Sequence, residues 1–213
     1  MFHVKQDGGA ARPGSVEVPR ETLERLQAFR DLLARWNQRI NLVAAADAET
    51  LWHRHILDSV QLAPLLPAHP PPLIDMGSGA GLPGIVLAAM TGSEVHLVES
   101  DKRKSAFLIE ASRVLNLPQV RVHPIRIEAA RLPAAAVVTA RAFAPLPLLL
   151  AHAHRLLRPD GIALFPKGRT AEDELTDAGA AWTMRVERFP SRTDPAATIL
   201  RLSEIRPAQS PHA

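Results

Sequence analysis

A ten-residue stretch, Asp75-Met76-Gly77-Ser78-Gly79-Ala80-Gly81-Leu82-Pro83-Gly84, limits the folds open to this chain more than any other feature. It follows a short apolar run, Leu73-Ile74-Asp75-Met76, that reads as a buried strand, and it opens a helix over 83–90 with Pro83 at its start. Gly77, Gly79 and Gly81 let the backbone turn tightly and approach a ligand with no Cβ in the way. A glycine loop that joins a strand to a helix is a device for binding nucleotide-like ligands. A dinucleotide fingerprint requires glycine in its third slot, residue 82, and here that residue is Leu82. The spacing is G-x-G-x-G instead, the form common at S-adenosylmethionine (SAM) sites. Glu99 ends the next strand, 22 residues after Gly77, where an acid can accept hydrogen bonds from both ribose hydroxyls.

Around this loop the sequence predicts an alternating pattern. Strands are expected at 73–76, 95–98, 120–122, 136–140, 161–165, 183–189 and 197–203, with helices at 102–116, 145–157 and 171–180 between them. Alternation of this kind specifies an α/β Rossmann-like domain with a seven-stranded, mainly parallel sheet covered on both faces. Upstream, Leu23, Leu26, Phe29, Leu33, Trp36 and Ile40 form one apolar stripe and predict a helix over 19–42. A second helix is expected over 48–66, before Pro67 and Pro70-Pro71-Pro72 stop helical structure. The expected organisation is a flexible arm at 1–18, a helical extension at 19–70, the α/β domain at 71–205 and a flexible tail at 206–213.

The 213 residues include no cysteine, which excludes disulfides, thiolate metal sites and cysteine nucleophiles. No run approaches 18 apolar residues and the start lacks the apolar core of a signal peptide, so the cytoplasm is the expected compartment. The pI of 9.9 overstates a net charge of only +3, because the chain has no Tyr and few Lys to titrate above neutrality. The distribution is more telling. Residues 101–170 hold 12 Lys and Arg against 4 Asp and Glu, a concentration that fits an acidic partner, nucleic acid first. Lys102, Arg103 and Lys104, with Lys167 and Arg169, are the candidate RNA-phosphate contacts.

Beyond these local features, the sequence resembles the bacterial glucose-inhibited division protein B family, the rRNA small-subunit methyltransferase G enzymes. The resemblance rests on Trp36-Asn37 with Asn41-Leu42, Arg54-His55-Ile56-Leu57-Asp58-Ser59, the stretch from Asp75 to Gly84, Lys102-Arg103-Lys104, Arg141-Ala142-Phe143-Ala144 and Lys167-Gly168. It runs in order from about residue 25 to 175 and implies a class I SAM-dependent methyltransferase domain over 71–205. It further implies methylation of N7 of a guanine, guanine 527, in the 530 loop of 16S rRNA, with S-adenosylhomocysteine as the second product. Either 16S rRNA or the 30S particle would be the partner, and the protein would act as a monomer. By resemblance, Gly77, Leu82, Ile127-Glu128 and Arg141 fall at SAM-contact positions, alongside Gly79, Gly81 and Glu99 read from the loop itself. Glu99 stands where the family frequently has Asp, and Thr139 where it often has Ser.

The absences agree with this chemistry. Carbon-5 methylation of pyrimidines needs a cysteine nucleophile. Exocyclic amine methyltransferases carry an Asp/Asn-Pro-Pro-aromatic motif, and its place is taken here by Arg141-Ala142-Phe143-Ala144. Guanine N7 has a free lone pair and no proton to lose, so the enzyme mainly aligns the reacting atoms. Arg141 is the candidate catalytic residue, as a donor near O6, and Phe143 a candidate stacking surface, with core packing the alternative for Phe143. His53, His55 and Asp58 do not make a metal site, since only His55 and Asp58 share a helix face; they are expected to hydrogen-bond near the mouth of the site. Three rivals remain: a SAM enzyme acting on another RNA or a small molecule, a non-catalytic SAM-binding RNA-binding protein, and a nicotinamide oxidoreductase, which Leu82 disfavours. If residues 102–104 meet phosphate, replacing Lys102 and Arg103 together by Ala weakens RNA binding. It also reduces the slope of log affinity against log salt by roughly 1.5, measured by filter binding across a salt series.

Overall fold

Residues 2–4, 16–44, 47–68 and 72–208 are described by a computed structural model. Two short strands, β1 (Phe2–Val4) and β2 (Val16–Val18), pair in parallel where the sequence predicts an unpaired arm. Helix α1 (Arg20–Asn37) follows, burying Leu26, Phe29, Leu32 and Leu33 on one stripe. It ends five residues before the expected boundary, and the cause is local. The Asn37 side chain accepts the backbone N–H groups of Leu42 and Val43 at 2.9 and 3.0 Å, which bends the chain into a turn.

The second helical run is continuous but not uniform. Asp47 caps α2 (Ala48–Leu51) by accepting the Thr50 N–H. A π-helical stretch, Trp52–Leu57, comes next, then α3 (Asp58–Val60) and a 3₁₀ turn over Ala63–Leu65. A π-helical turn is uncommon and is concentrated at functional sites. No feature of the apolar pattern predicts it.

The sheet order is β5-β4-β3-β6-β7-β9-β8, built from β3 (Leu73–Met76), β4 (Val95–Val98), β5 (Val120–His123), β6 (Ala135–Thr139), β7 (Leu157–Lys167), β8 (Trp182–Pro190) and β9 (Thr198–Pro207). The first five are parallel, and β9 runs antiparallel to both neighbours. Strand β9 passes the expected end at 203, because Arg206 and Pro207 still pair with Thr183 and Trp182; the expected tail therefore starts inside the sheet.

Helices α1, α4 (Gly84–Thr91) and α5 (Lys102–Val114) cover one face. Helices α6 (Leu146–Leu156) and α7 (Ala171–Gly179) cover the other. Strands β3, β4 and β6 are consequently buried at every residue, as a two-sided cover requires. Phe107 on α5 receives Phe29 and Trp36 of α1 at ring distances of 6.2 and 5.7 Å, so the extension packs directly on the domain. The strand order reverses at β3, whose neighbours β4 and β6 lead away in opposite directions. That places a crevice beyond the carboxyl end of β3, where the glycine loop begins.

Gly81 serves this packing. Its φ is 76°, and a Cβ there would meet Ile85 Cγ1 at 2.6 Å and Leu108 Cδ2 at 3.0 Å. Gly92 has a similar φ of 68° with open space around it. Gly81→Ala therefore destabilises the protein by about 2–4 kcal/mol in urea unfolding, combining backbone strain with overpacking, against about 1 for Gly92→Ala. Equal costs would show that crowding at Gly81 contributes nothing.

Candidate active site

Beyond the carboxyl ends of β3 and β4 lies a cavity of about 580 Å³, within the size range of ligand pockets. Gly77, Gly79, Leu82 and Glu99 border it, as do Ile127 and Arg141. Glu99 is buried, and both carboxylate oxygens hold the backbone in shape. Oε2 accepts the Gly79 N–H at 2.8 Å and Oε1 accepts the Asp101 N–H at 2.8 Å. A carboxylate has about four lone-pair sites, so capacity remains for hydroxyl donors from the cavity. Val98, Ile125 and Ile127 offer apolar walls beside it.

The glycine loop divides its tasks. Gly77 and Gly79 border the cavity, whereas Gly81 faces Ile85 and Leu108 and does not. A Cβ on Gly77 would lie 2.2 Å from Phe143 Cδ2, so the aromatic ring rests on bare backbone. Phe143 is 38% exposed and is not a core residue. Ala142 adopts φ 50°, a left-handed conformation that costs roughly 1–2 kcal/mol for a residue with a side chain. That kink sits between Arg141, turned toward the extension, and Phe143, laid over the loop.

Arg141 is the centre of a polar cluster. Its Nη1 donates to the Arg54 carbonyl at 3.1 Å and to Asp58 Oδ2 at 3.3 Å, and its Nη2 lies 3.0 Å from His55 Nδ1. Burial works against the Arg141 charge, and the Asp58 carboxylate offsets it. Burial, reinforced by the Arg141 charge, brings the His55 pKa down to about 4, so this imidazole is neutral at ordinary pH. Asp58 in turn accepts from Thr193 Oγ1 at 2.7 Å and from Gln61 Nε2 at 2.8 Å, tying in the β8–β9 loop. His55 and Asp58 thus both serve Arg141, while His53 is exposed. Among the described residues no group of three or more His, Asp or Glu is placed to hold a metal ion.

A larger cleft, about 1100 Å³, opens on the far side of Arg141, Ala142 and Phe143 and is also lined by Lys167, Glu174 and Thr193. Lys167, expected as a phosphate contact, is instead enclosed. Its ammonium pairs with Glu174 Oε2 at 2.7 Å and donates to the Ala144 carbonyl at 3.2 Å, and its side chain is 10% exposed. Arg169 is exposed outside the residues that line the cleft, and Glu128 does not border the cofactor-sized cavity. Lys102 and Arg103 are exposed, and Lys104 reaches the cavity wall. These three cations occupy the first turn of α5, where the helix dipole disfavours positive charge, and Asp101 caps that turn through the Arg103 and Lys104 N–H groups.

Several residues carry no local signal. Leu42, Val43 and Ala44 line the cavity because Asn37 turns the chain there. Arg39 joins Arg103 and Lys104 around a small hollow beside α5. Thr139 donates to the fully buried Asp75 at 2.7 Å and clips β6 to β3 at the crevice.

Fold and site together define a class I SAM-dependent methyltransferase. Solved structures of ribosomal protein L11 methylase from Lactobacillus delbrueckii subsp. bulgaricus (TM-score 0.60, 11% identity, 95% of this chain and 94% of that one) and of a SAM-dependent methyltransferase from Aquifex aeolicus (TM-score 0.58, 14% identity, 72% and 92%) share the fold. The family model for rRNA small subunit methyltransferase G matches residues 22–196. Ribosomal RNA small subunit methyltransferase G of Rhodospirillum centenum is 58% identical over 89% of this chain and 88% of its own. Its counterpart in Granulibacter bethesdensis is 54% identical over 96% and 99%. The chain belongs to the rRNA small subunit methyltransferase G family.

The clip between Thr139 and Asp75 has a measurable signature. Burial pushes the Asp75 carboxyl up to about 6 from an ordinary 3.8, so the folded protein favours its protonated form and gains stability through this group as pH falls from about 6 toward 4. Thr139→Val removes a donor from the carboxylate and raises that pKa further. The substitution costs about 1–3 kcal/mol at pH 8 and less at pH 5, read from urea unfolding at the two pH values.

Proposed function

We propose that this chain transfers a methyl group from SAM to N7 of a guanine in 16S ribosomal RNA, guanine 527 of the 530 loop. The observation that carries the reading is the shared wall of Arg141, Ala142 and Phe143: a nucleoside-sized cavity with its carboxylate lies on one side, and a cleft roomy enough for a base on the other. SAM, when bound, supplies an electrophilic methyl group on a sulfonium. Glu99 would receive the ribose hydroxyls, the Gly77–Gly79 backbone would admit close approach, and Val98, Ile125 and Ile127 would enclose the adenine. Gly81 supports the loop from behind, and Glu128 follows the wall residue Ile127 outside the cavity itself.

The chain's task on the substrate side is alignment. Guanine N7 brings its own lone pair and loses no proton, and the site accordingly needs no general base. Phe143 offers an exposed face on which a flipped base stacks. Arg141 positions the base and holds the extension closed over the cleft. Lys102, Arg103 and Lys104, with Arg39 nearby, form the surface toward RNA phosphate, and Arg169 adds charge on the cleft side. Lys167 acts through its ion pair, which fixes the 144–146 segment behind Phe143. The protein works as a monomer on 16S rRNA or the 30S particle, in the cytoplasm where that RNA resides; among the described residues no helix is long and apolar enough to cross a membrane.

The test is transfer from methyl-labelled SAM to purified 16S rRNA and 30S particles, followed by mapping of the labelled nucleotide. Label is expected in 7-methylguanine at one 530-loop position, with Arg141→Ala reducing turnover by 10-fold or more. Label in a different base, or SAM binding without transfer to any rRNA form, overturns the reading.

A further inference from the structure

We infer that His55 is the base-reading residue: its Nε2–H donates to O6 of the guanine whose N7 is methylated, and so selects guanine over adenine. The inference deepens the methyl-transfer reading and rests on it. Four residues border both the cofactor-sized cavity and the larger cleft: His55, Arg141, Ala142 and Phe143. A base presented to the methyl donor must pass them. Ala142 offers only a methyl group and Phe143 only a ring face. Arg141 commits both Nη1 protons to the Arg54 carbonyl and Asp58 and one Nη2 proton to His55, so the two donors it has left, Nε–H and the second Nη2–H, are cationic, whereas the donor of His55 is neutral.

The imidazole of His55 has a determined tautomer. A guanidinium only donates, so His55 Nδ1, 3.0 Å from Arg141 Nη2, must present its lone pair. Burial keeps the ring neutral, and its single proton then lies on Nε2. Among the described residues Nε2 has no hydrogen-bond partner. The ring is also held from behind, through Arg141 to Asp58 and on to Thr193 and Gln61, so its donor points in a fixed direction.

Guanine displays two acceptors side by side, N7 and O6, whereas adenine places an amino donor next to N7. A fixed N–H donor beside the reacting nitrogen accepts the first base and repels the second. Neutrality matters here too. Methylation leaves positive charge on the guanine ring, and an imidazole donor opposes that charge less than a cation would. The contact therefore contributes to substrate binding more than to the chemical step.

The experiment is a cycle between one side chain and one substrate atom. Wild type and His55→Ala are assayed on semi-synthetic 16S rRNA carrying either guanine or 2-aminopurine, which keeps N7 and lacks O6, at the target position. Wild type is expected to lose about 10-fold or more in kcat/KM on 2-aminopurine. His55→Ala loses a comparable factor on guanine, mostly in KM for the RNA, and nothing further on 2-aminopurine. His55→Gln, which places an amide N–H near the Nε2 position, restores part of the preference for guanine. Calorimetric SAM binding reports that each variant is folded, and the ¹⁵N spectrum of His55 is expected to show protonated Nε2 and bare Nδ1. An equal penalty for the variants on both bases, wild type indifferent to O6, or a proton on Nδ1 overturns the inference. Absence of methyl transfer to guanine by wild type overturns instead the functional reading beneath it.

Discussion

The guanidinium of Arg141 is largely enclosed, and a cation withdrawn from water persists only if its protons are taken up. Its acceptors come from one place: the carbonyl of Arg54, the imidazole of His55 and the carboxylate of Asp58, all on the π-helical turn and the helix that follows. The sheet domain and the N-terminal extension are joined by this demand as well as by the aromatic contacts of Phe29 and Trp36 with Phe107. Removing any one acceptor leaves a charge without compensation in a low-dielectric setting. The extension is thus part of the site, and Arg141 ties its Arg54–Asp58 segment to the wall of the cleft.

The second organising group is Glu99. In this structure the carboxylate both shapes the pocket and remains able to bind within it. Its two oxygens draw in the N–H groups of Gly79 and Asp101, which sets the curvature of the glycine loop before any ligand arrives. Loop and acid come from adjacent parallel strands, so a small shift in β4 would alter both together. Preorganisation of this kind lowers the ordering cost of binding.

Most of the sheet was legible because its strands are short apolar runs separated by turn residues. Residues 73–76 and 95–98 appear with the predicted ends, and the glycine spacing marked the crevice. The failures share a cause, which is side-chain partnerships that residue type and apolar periodicity do not specify, some between near neighbours and some across the chain. Nothing near residue 42 announces that Asn37 will fold the chain back there, and nothing in Lys167 announces Glu174 as its partner. Gly81 looked identical to Gly77 and Gly79 in one dimension, yet it faces Ile85 and Leu108. The π-helical turn left no periodicity by which to find it. His55 and Asp58 drew attention as a pair on one helix face, and only the position of Arg141, more than 80 residues away, supplies the reason.

The link from Asp58 to Thr193 joins positions 135 residues apart. Every residue that lines the cofactor-sized cavity lies at or before Phe143, so that half of the site can be fully synthesised while the rest of the chain is still being translated. The other half cannot. Its wall waits for the β8–β9 hairpin, whose loop supplies Ser191 and Thr193. The lining for the small molecule is therefore complete in sequence before the surface for the large one, and commitment to the macromolecular substrate comes only with that hairpin.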